Sequence, residues 1–464
     1  MSAMAPPVDA APAPPPPDGT PARLRRLANL DRATIAGIAV VAVAACGFVA
    51  YRWWQAAAGP PIVWGDSLDY ARSAIWAGSR PPLVPALLAL SPSFDWFIAL
   101  QTIVAIASWG ALAWAVAARV PPKSRAVAIV VVLAFASTTA VVRWERSVLS
   151  ESLATSALAL VFAALLWASA RTTWPRVGAV VAAGALFAAA RDTDVWVVWL
   201  LAIAVAVDTV VERRGVRGVV AALALAACAG AMLAGATASD RSAQNIEHVY
   251  FVRVFPYPER VAWFEAHGMP DADTVRKYAS DTTTEPGTAP VVSIDHSDPR
   301  VPHLVEWLHD HGTATYLRYM IEHPTFVLSE PAHLPERAYN FGNGSLEGYS
   351  GLERTELTAV DAVLTPNAWV VLVVAVGASA VLVARRRRRV TSGARVALVM
   401  AALGLVHMLV AWHGDGMETT RHAVVGNVQA RVGVVVLAVL AGAELMSAHE
   451  RRHRTDAAAI ATEA

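Results

Sequence analysis

Apolar residues along this chain fall in blocks of membrane-crossing length, separated by polar connections. The blocks run approximately 33–51, 95–119, 126–142, 149–170, 177–190, 195–211, 217–237, 368–384, 395–412 and 423–447. Most approach the ~20 residues that a helix needs to cross a ~30 Å hydrocarbon core. The pattern predicts an all-α polytopic membrane protein with about ten transmembrane helices. The fifth block is short, bounded by Arg176 and Arg191, and by length alone reads equally as a re-entrant segment.

The polar connections divide the chain further. Residues 1–32 form a Pro/Ala-rich tail, and its first 22 residues can bury nothing and are expected to be disordered. Residues 33–237 form a seven-span module, 238–367 a polar region between spans seven and eight, 368–447 a three-span module, and 448–464 a short tail. The first connection, 52–94, carries Trp64, Trp76 and the apolar run PPLVPALLAL, the composition of short helices lying on a membrane surface. Within the polar region, 301–310 and 312–322 read as helices, the second stopped by His323-Pro324.

Composition agrees with the blocks. The chain is 56% hydrophobic and 16% charged, with mean hydropathy +0.44. Soluble domains carry ~25% charged residues. The net charge of +1 says nothing about partners, and no nucleic-acid partner is expected of such a chain, but the placement of charge is informative. With a cytoplasmic N-terminus, the inside connections hold Arg23, Arg25 and Arg26; Arg119, Lys123 and Arg125; Arg171 and Arg176; Arg213, Arg214 and Arg217; Arg385 to Arg389; and Arg451, Arg452 and Arg454. That is the positive-inside pattern at every inside loop. Were the fifth block not to cross, Arg385 to Arg389 would face outside. Ten spans, both termini cytoplasmic, in a plasma membrane is therefore the expected topology. Trp53, Trp54, Trp96, Trp144, Trp196, Trp369 and Trp412 then fall at the outer interface, where an amphipathic ring belongs. Cys46 and Cys228 lie in apolar blocks as expected small core residues. Arg23 to Cys46 resembles a lipoprotein signal, but it follows a long tail and reads as a signal anchor.

This topology gathers intramembrane and near-membrane polar residues at one face: Asp66, Asp69, Glu145, Glu151, Asp192, Asp194, Asp415, Glu418, Arg421 and His422, with Arg143, Arg146, Arg191 and Arg431. Such a cluster suits a substrate with an anionic headgroup and a lipid tail, although charges also end helices at interfaces. Glu418, Arg421 and His422 share one helical face, and Asn427 and Arg431 are four apart. Arg431 lies roughly 12 Å into the last span. A charge at that depth faces protein or a wet cavity. It reads either as a binder of lipid-linked phosphate or as an ion-pair partner of Glu151 or a nearby carboxylate. The chain has no P-loop, HExxH or paired CxxC; the scattered His296, His303, His309 and His311 could bind a metal, but HDH at 309–311 lacks one-face helical spacing and reads as solvated, so no metal or cofactor is expected.

The first outer loop, GDSLDYARSAIWAGSRPPLVPALLAL, resembles that of the GT-C superfamily of polytopic glycosyltransferases that use polyprenyl-phosphate sugars. Protein mannosyltransferases, lipid A aminoarabinose transferases and actinobacterial arabinofuranosyltransferases belong to it. SVLSESLAT at 147–155, Arg191 in AAARDTD, and HGDGMETTRHAVVGNVQARVG at 413–433 are similar to further segments of such enzymes. The resemblance implies a GT-C-like fold and an inverting transfer of a monosaccharide from a polyprenyl-phosphate donor to an extracytoplasmic glycan, lipid or protein. It implies Asp66 as base, with Asp69 and Glu151 as further candidate catalytic carboxylates. Arg191, Arg421, His422 and Arg431 would hold the donor phosphate, and Tyr70 and Glu418 would support the site. The alternative for Asp66 is a helix N-cap, for Glu151 a dipole-favoured first-turn carboxylate, and for Arg191 interfacial snorkelling. A flippase for a lipid-linked glycan or a non-catalytic envelope assembly protein are the competing functions.

Overall fold

The computed structural model describes residues 32–76, 78–239, 241–270, 301–333, 358–385, 391–414, 416 and 419–463. Asp415, Glu418, His296, Arg386 to Arg389 and the tail 1–31 lie outside the described residues. The N-terminal half contains α1 (Arg32–Ala57), α2 (Gly65–Arg72), α3 (Leu83–Ala89), α4 (Phe94–Ala117), α5 (Arg125–Ala136), α6 (Thr139–Val142), α7 (Glu151–Ala170), α8 (Trp174–Ala188), α9 (Asp192–Val211) and α10 (Val216–Ala238). A helical subdomain follows, made of α11 (Arg241–Arg253), α12 (Pro258–Ala266), α13 (Pro302–Trp307), α14 (Thr313–Glu322) and α15 (Pro324–His333). The chain closes with α16 (Thr358–Leu364), α17 (Ala368–Arg385), α18 (Ser392–Gly414) and α19 (Thr419–Glu463). Among the described residues the β pairing is a single isolated bridge, Ile62 to Ser147.

Seven of these helices, α1, α4, α7, α9, α10, α18 and α19, are long and apolar enough to cross a membrane. Together they make the chain a polytopic membrane protein. Their outward faces carry side chains such as Val43, Trp114 and Val210, each at least 70% exposed. Apolar residues in this position face lipid, and helices suit them because every backbone polar group is satisfied within the segment. Cys46 belongs to this outward face and is exposed, while Cys228 is partly buried, so neither is the core residue expected from the sequence. The tryptophan expectation divides as well. Trp53, Trp54, Trp96, Trp196 and Trp369 are exposed, but Trp144 and Trp412 are almost wholly buried and pack protein rather than the interface.

The block at 126–142 is not one continuous helix. α5 ends at Ala136, and the chain bends by 52° before the next helical stretch. The hydroxyls of Ser137 and Thr138 donate back to the Leu133 and Phe135 carbonyls at 2.9 and 2.7 Å, competing with the helical ladder. Arg52 of α1 then donates to the freed Ala136 carbonyl at 2.8 Å and pairs with Glu145 at 2.6 Å. Both side chains of that ion pair are buried, so Glu145 serves the packing of α1 against the bend.

Polar contacts sort the helix ends into two groups. Lys123 meets Glu450 at 2.9 Å, Arg119 donates to Ser169 at 2.8 Å, and Arg395 of α18 pairs with Glu212 at 2.7 Å. These residues mark an arginine-rich end. Asp66, Glu151, Arg191 and Arg421 mark the opposite, site end. Short α8 connects the two: Arg217 lies over the Trp174 ring at its start, and Arg191 enters the site just past its close. α19 is 45 residues long, roughly 68 Å, so the expected tail at 448–464 continues its helix beyond the apolar span.

α18 and α19 pack with their backbones nearly touching. A Cβ on Gly404 would lie 2.3 Å from the Ala430 nitrogen, one on Gly426 2.8 Å from the Met408 nitrogen, and one on Gly433 2.6 Å from the Ala401 nitrogen. Small residues permit this approach where lipid supplies no hydrophobic driving force between helices. The subdomain has its own aromatic core around Tyr250, Phe255, Phe264 and Tyr316. α13 and α14 merge through a π-helical turn at 308–312, and α14 ends at Glu322, where His323-Pro324 stops it. The subdomain grips the site end of α18. Arg253 lies 4.4 Å over the Trp412 ring, and His413 contacts the Tyr316 hydroxyl at 3.0 Å and the Val327 carbonyl at 3.1 Å.

Candidate functional site

α2 is an eight-residue helix in the first connection, and it presents Asp66, Asp69 and Tyr70 at helical spacing. Trp64, not Asp66, occupies the N-cap, and the Ser67 hydroxyl accepts from its amide at 3.1 Å. Asp66 is therefore left to interact outside its own helix. Its Oδ2 accepts from Arg421 Nη1 at 2.8 Å, and its Oδ1 accepts from Arg80 Nη2 at 2.7 Å. The same Arg80 nitrogen donates to Asp69 Oδ2 at 2.8 Å.

Behind Asp66 the cluster is dry. Arg421 Nε donates to Glu151 Oε1 at 2.5 Å, and the Glu151 side chain is 0% exposed. Arg191 Nη1 stands 3.7 Å from the same oxygen, and its Nη2 contacts His422 Nδ1 at 2.6 Å. Glu151 thus sits between two guanidiniums, one from the start of α9 and one from the first turns of α19. Tyr70 is buried against Ser150 and Glu151, and burial is the main reason its hydroxyl is pushed above the usual phenol value. Burial also pulls the Asp66 carboxyl upward, but Arg421 and then Arg80 outweigh it and hold the group below the usual carboxylate range. About 29% of the Asp66 side chain stays exposed, so this carboxylate, unlike Glu151, can meet a ligand.

Six of the residues singled out in the sequence as candidate site residues thus make up one cluster with Asp66: Asp69, Tyr70, Glu151, Arg191, Arg421 and His422. Arg80 joins them and was missed. It follows Asp66 by fourteen residues in the same loop, so the signal was one of two arginines, Arg72 and Arg80, close after the paired acids. Glu418 lies outside the described residues. Arg431 stands apart. It donates to Asn427 Oδ1 at 2.7 Å and to the Pro366 carbonyl at 3.2 Å. Arg421, not Arg431, takes the Glu151 carboxylate.

Arg431 lines a cavity of about 390 Å³ between α5, α17 and α19. Its walls are valines with Leu364, Pro366 and Met446. From Arg431 to Met446 the cavity follows α19 for roughly 22 Å. An apolar furrow of that length with one guanidinium has the chemistry of a lipid chain and an anionic group. Among the described residues no group of three or more His, Cys, Asp or Glu side chains is arranged to hold a metal ion.

Compared with known proteins, the chain matches no protein family, no curated protein and no solved structure.

Proposed function

We propose that the chain is a membrane-embedded, inverting glycosyltransferase of GT-C type, with ten spans and the site end outside the cytoplasm. Its donor would be a polyprenyl-phosphate monosaccharide, and its acceptor a hydroxyl on an envelope glycan, lipid or protein. The observation that carries the reading is Asp66: a partly exposed carboxylate in a loop helix, backed by buried Arg421, Arg191 and Glu151. In this scheme Asp66 takes the acceptor proton while the acceptor oxygen attacks the anomeric carbon opposite the phosphate. One base suffices, because the phosphate leaves as a stable anion. Fixed cations lower the energy of that developing charge. Arg421 and Arg191, oriented by Glu151, fill this role, with His422 beside them. The apolar cavity at Arg431 would receive the lipid chain.

A second reading, movement of a lipid-linked glycan across the bilayer, draws support from the same cavity, which extends past the middle of the span. The two part at Asp66. Asp66→Asn keeps the side-chain shape but accepts no proton, so transfer should fall ~10²–10⁴-fold while donor binding persists. The measurement is sugar transfer from polyprenyl-phosphate donor in matched membrane preparations. Full transfer by the variant would exclude Asp66 as base, and lipid translocation without transfer by the wild type would favour the second reading.

A further inference from the structure

Both oxygens of Asp66 are occupied by guanidiniums, Oδ2 by Arg421 and Oδ1 by Arg80. A carboxylate so held is a weak base, because each of its oxygens already accepts from a guanidinium. Departure of one cation would raise its basicity for the proposed chemistry. The two are unequal. Arg421 is 4% exposed and is also tied to buried Glu151 at 2.5 Å. Arg80 is 28% exposed, and its second partner, Asp69, is 50% exposed. Exposed ion pairs are weak and yield to a stronger anion. The Arg80 backbone is nonetheless pinned, because its amide donates to the Ser73 hydroxyl at 3.2 Å. Its guanidinium lies 5.5 Å from the Tyr70 ring centroid, a face along which it can slide without losing all contact.

We propose that Arg80 is a displaceable counter-ion: it closes on Asp66 and Asp69 in the resting site and moves to the phosphate of an incoming lipid donor, which frees Asp66 to act as base. The inference rests on the glycosyl-transfer reading and extends it. Charge balance gives the reason. The donor phosphodiester carries one negative charge. As the acceptor O–H breaks, its proton goes to Asp66 and its oxygen bonds to the anomeric carbon. The bond from that carbon to the phosphate oxygen breaks, and its electron pair stays on the phosphate. Asp66 goes from one negative charge to none, and the phosphate from one to two. Negative charge thus travels from Asp66 to the phosphate, where a cation on a long arm, already moved there, receives it. Arg421 cannot, because Glu151 holds it.

Arg421, Arg80 and His422 hold the Asp66 carboxyl low against burial, and the other ionisable groups around it are Asp69 and Tyr70 on α2 and Glu151 on α7 behind Arg421. Only Arg80 changes place in this scheme, so the pH profile reports it. The acid limb of kcat/KM belongs to the free enzyme, with Arg80 on Asp66, and that of kcat to the loaded enzyme. In the wild type the kcat limb should lie at higher pH. In Arg80→Gln the kcat/KM limb should rise to meet it, the donor KM should increase, and kcat should fall ~10²-fold. Arg80→Lys keeps the charge and should restore most of the separation between limbs. A second arm measures binding of polyprenyl monophosphate in detergent micelles, expected ~10-fold weaker in Arg80→Gln than in the wild type. Coincident limbs in the wild type, limbs unmoved by Arg80→Gln, or equal monophosphate affinity would overturn the inference. A wild type that binds the monophosphate but transfers no sugar would defeat the glycosyl-transfer reading instead, leaving the binding arm to judge Arg80.

Discussion

Glu151→Gln isolates what the buried part of the cluster contributes to stability. The carboxylate is 0% exposed, with Arg421 Nε at 2.5 Å and Arg191 Nη1 at 3.7 Å. Glutamine preserves shape but removes the charge and turns an amide group toward two guanidiniums. Removing one partner of a buried ion pair costs ~3–5 kcal/mol, because the remaining charge stays desolvated. Asp69→Asn is the matched control: its pair with Arg80 is half exposed, and such pairs are worth ~0.2–1 kcal/mol. Unfolding in detergent should therefore show a large loss for Glu151→Gln and almost none for Asp69→Asn. The double variant Glu151→Gln/Arg421→Gln adds a second test. It removes both charges, so its loss should be smaller than the sum of the two single losses. Additive losses, or a Glu151→Gln variant as stable as the wild type, would refute the pairing and with it the anchoring of Arg421.

Two further outcomes follow from the packing around the cluster. Gly416→Ala should reduce transfer by at least tenfold, because a Cβ there would lie 2.0 Å from the His248 carbonyl oxygen and would push the subdomain off the chain entering α19; cross-linking between α11 and α18 checks the displacement, and an unchanged rate would show that this contact does not position Arg421. Arg431→Gln should raise the donor KM with little change in kcat, since Arg431 lines the apolar cavity rather than the Asp66 cluster; a kcat loss at unchanged KM would move Arg431 into the chemistry.

Ten spans were expected, and seven of the described helices are long and apolar enough to cross; these were legible because membrane insertion imposes a length and an apolar composition that a single sequence displays directly. The gathering of one set of cations was legible in the charge of alternate connections, and Arg119, Lys123 and Arg214 do share an end, where Arg395 joins them. The bend after Ala136 was not. Its cause is a Ser137-Thr138 pair and a distant Arg52, and apolar windows average over both. Trp144 and Trp412 were misplaced because hydropathy gives depth in the membrane but not which way a helix face turns. Within the site, local spacing joined Arg421 to His422, and the resemblance of the first outer loop singled out Asp66, Asp69 and Tyr70. The contact of Arg421 with Glu151 joins residues 270 positions apart, and only the packed helices supply it. Arg80 escaped notice because a solvated loop arginine has many ordinary explanations.

The cluster's formal charge explains how so many ions can share one dry corner. Asp66, Asp69 and Glu151 contribute three negative charges, and Arg80, Arg191 and Arg421 three positive ones. These six side chains are neutral as a group, and each buried member has an opposite charge within 4 Å. A neutral group is far cheaper to desolvate than its parts. Adding a phosphodiester brings one negative charge. In the proposed transfer that total does not change again, since the charge lost at Asp66 reappears on the phosphate. The site therefore needs no new counter-ion during the reaction, only one already present that shifts when the donor binds. A fixed arginine beside a buried glutamate keeps the lattice in place, and a solvated arginine on a pinned backbone supplies the movement. Two arginines on the two oxygens of one carboxylate, unequal in burial, are what such a division of labour requires.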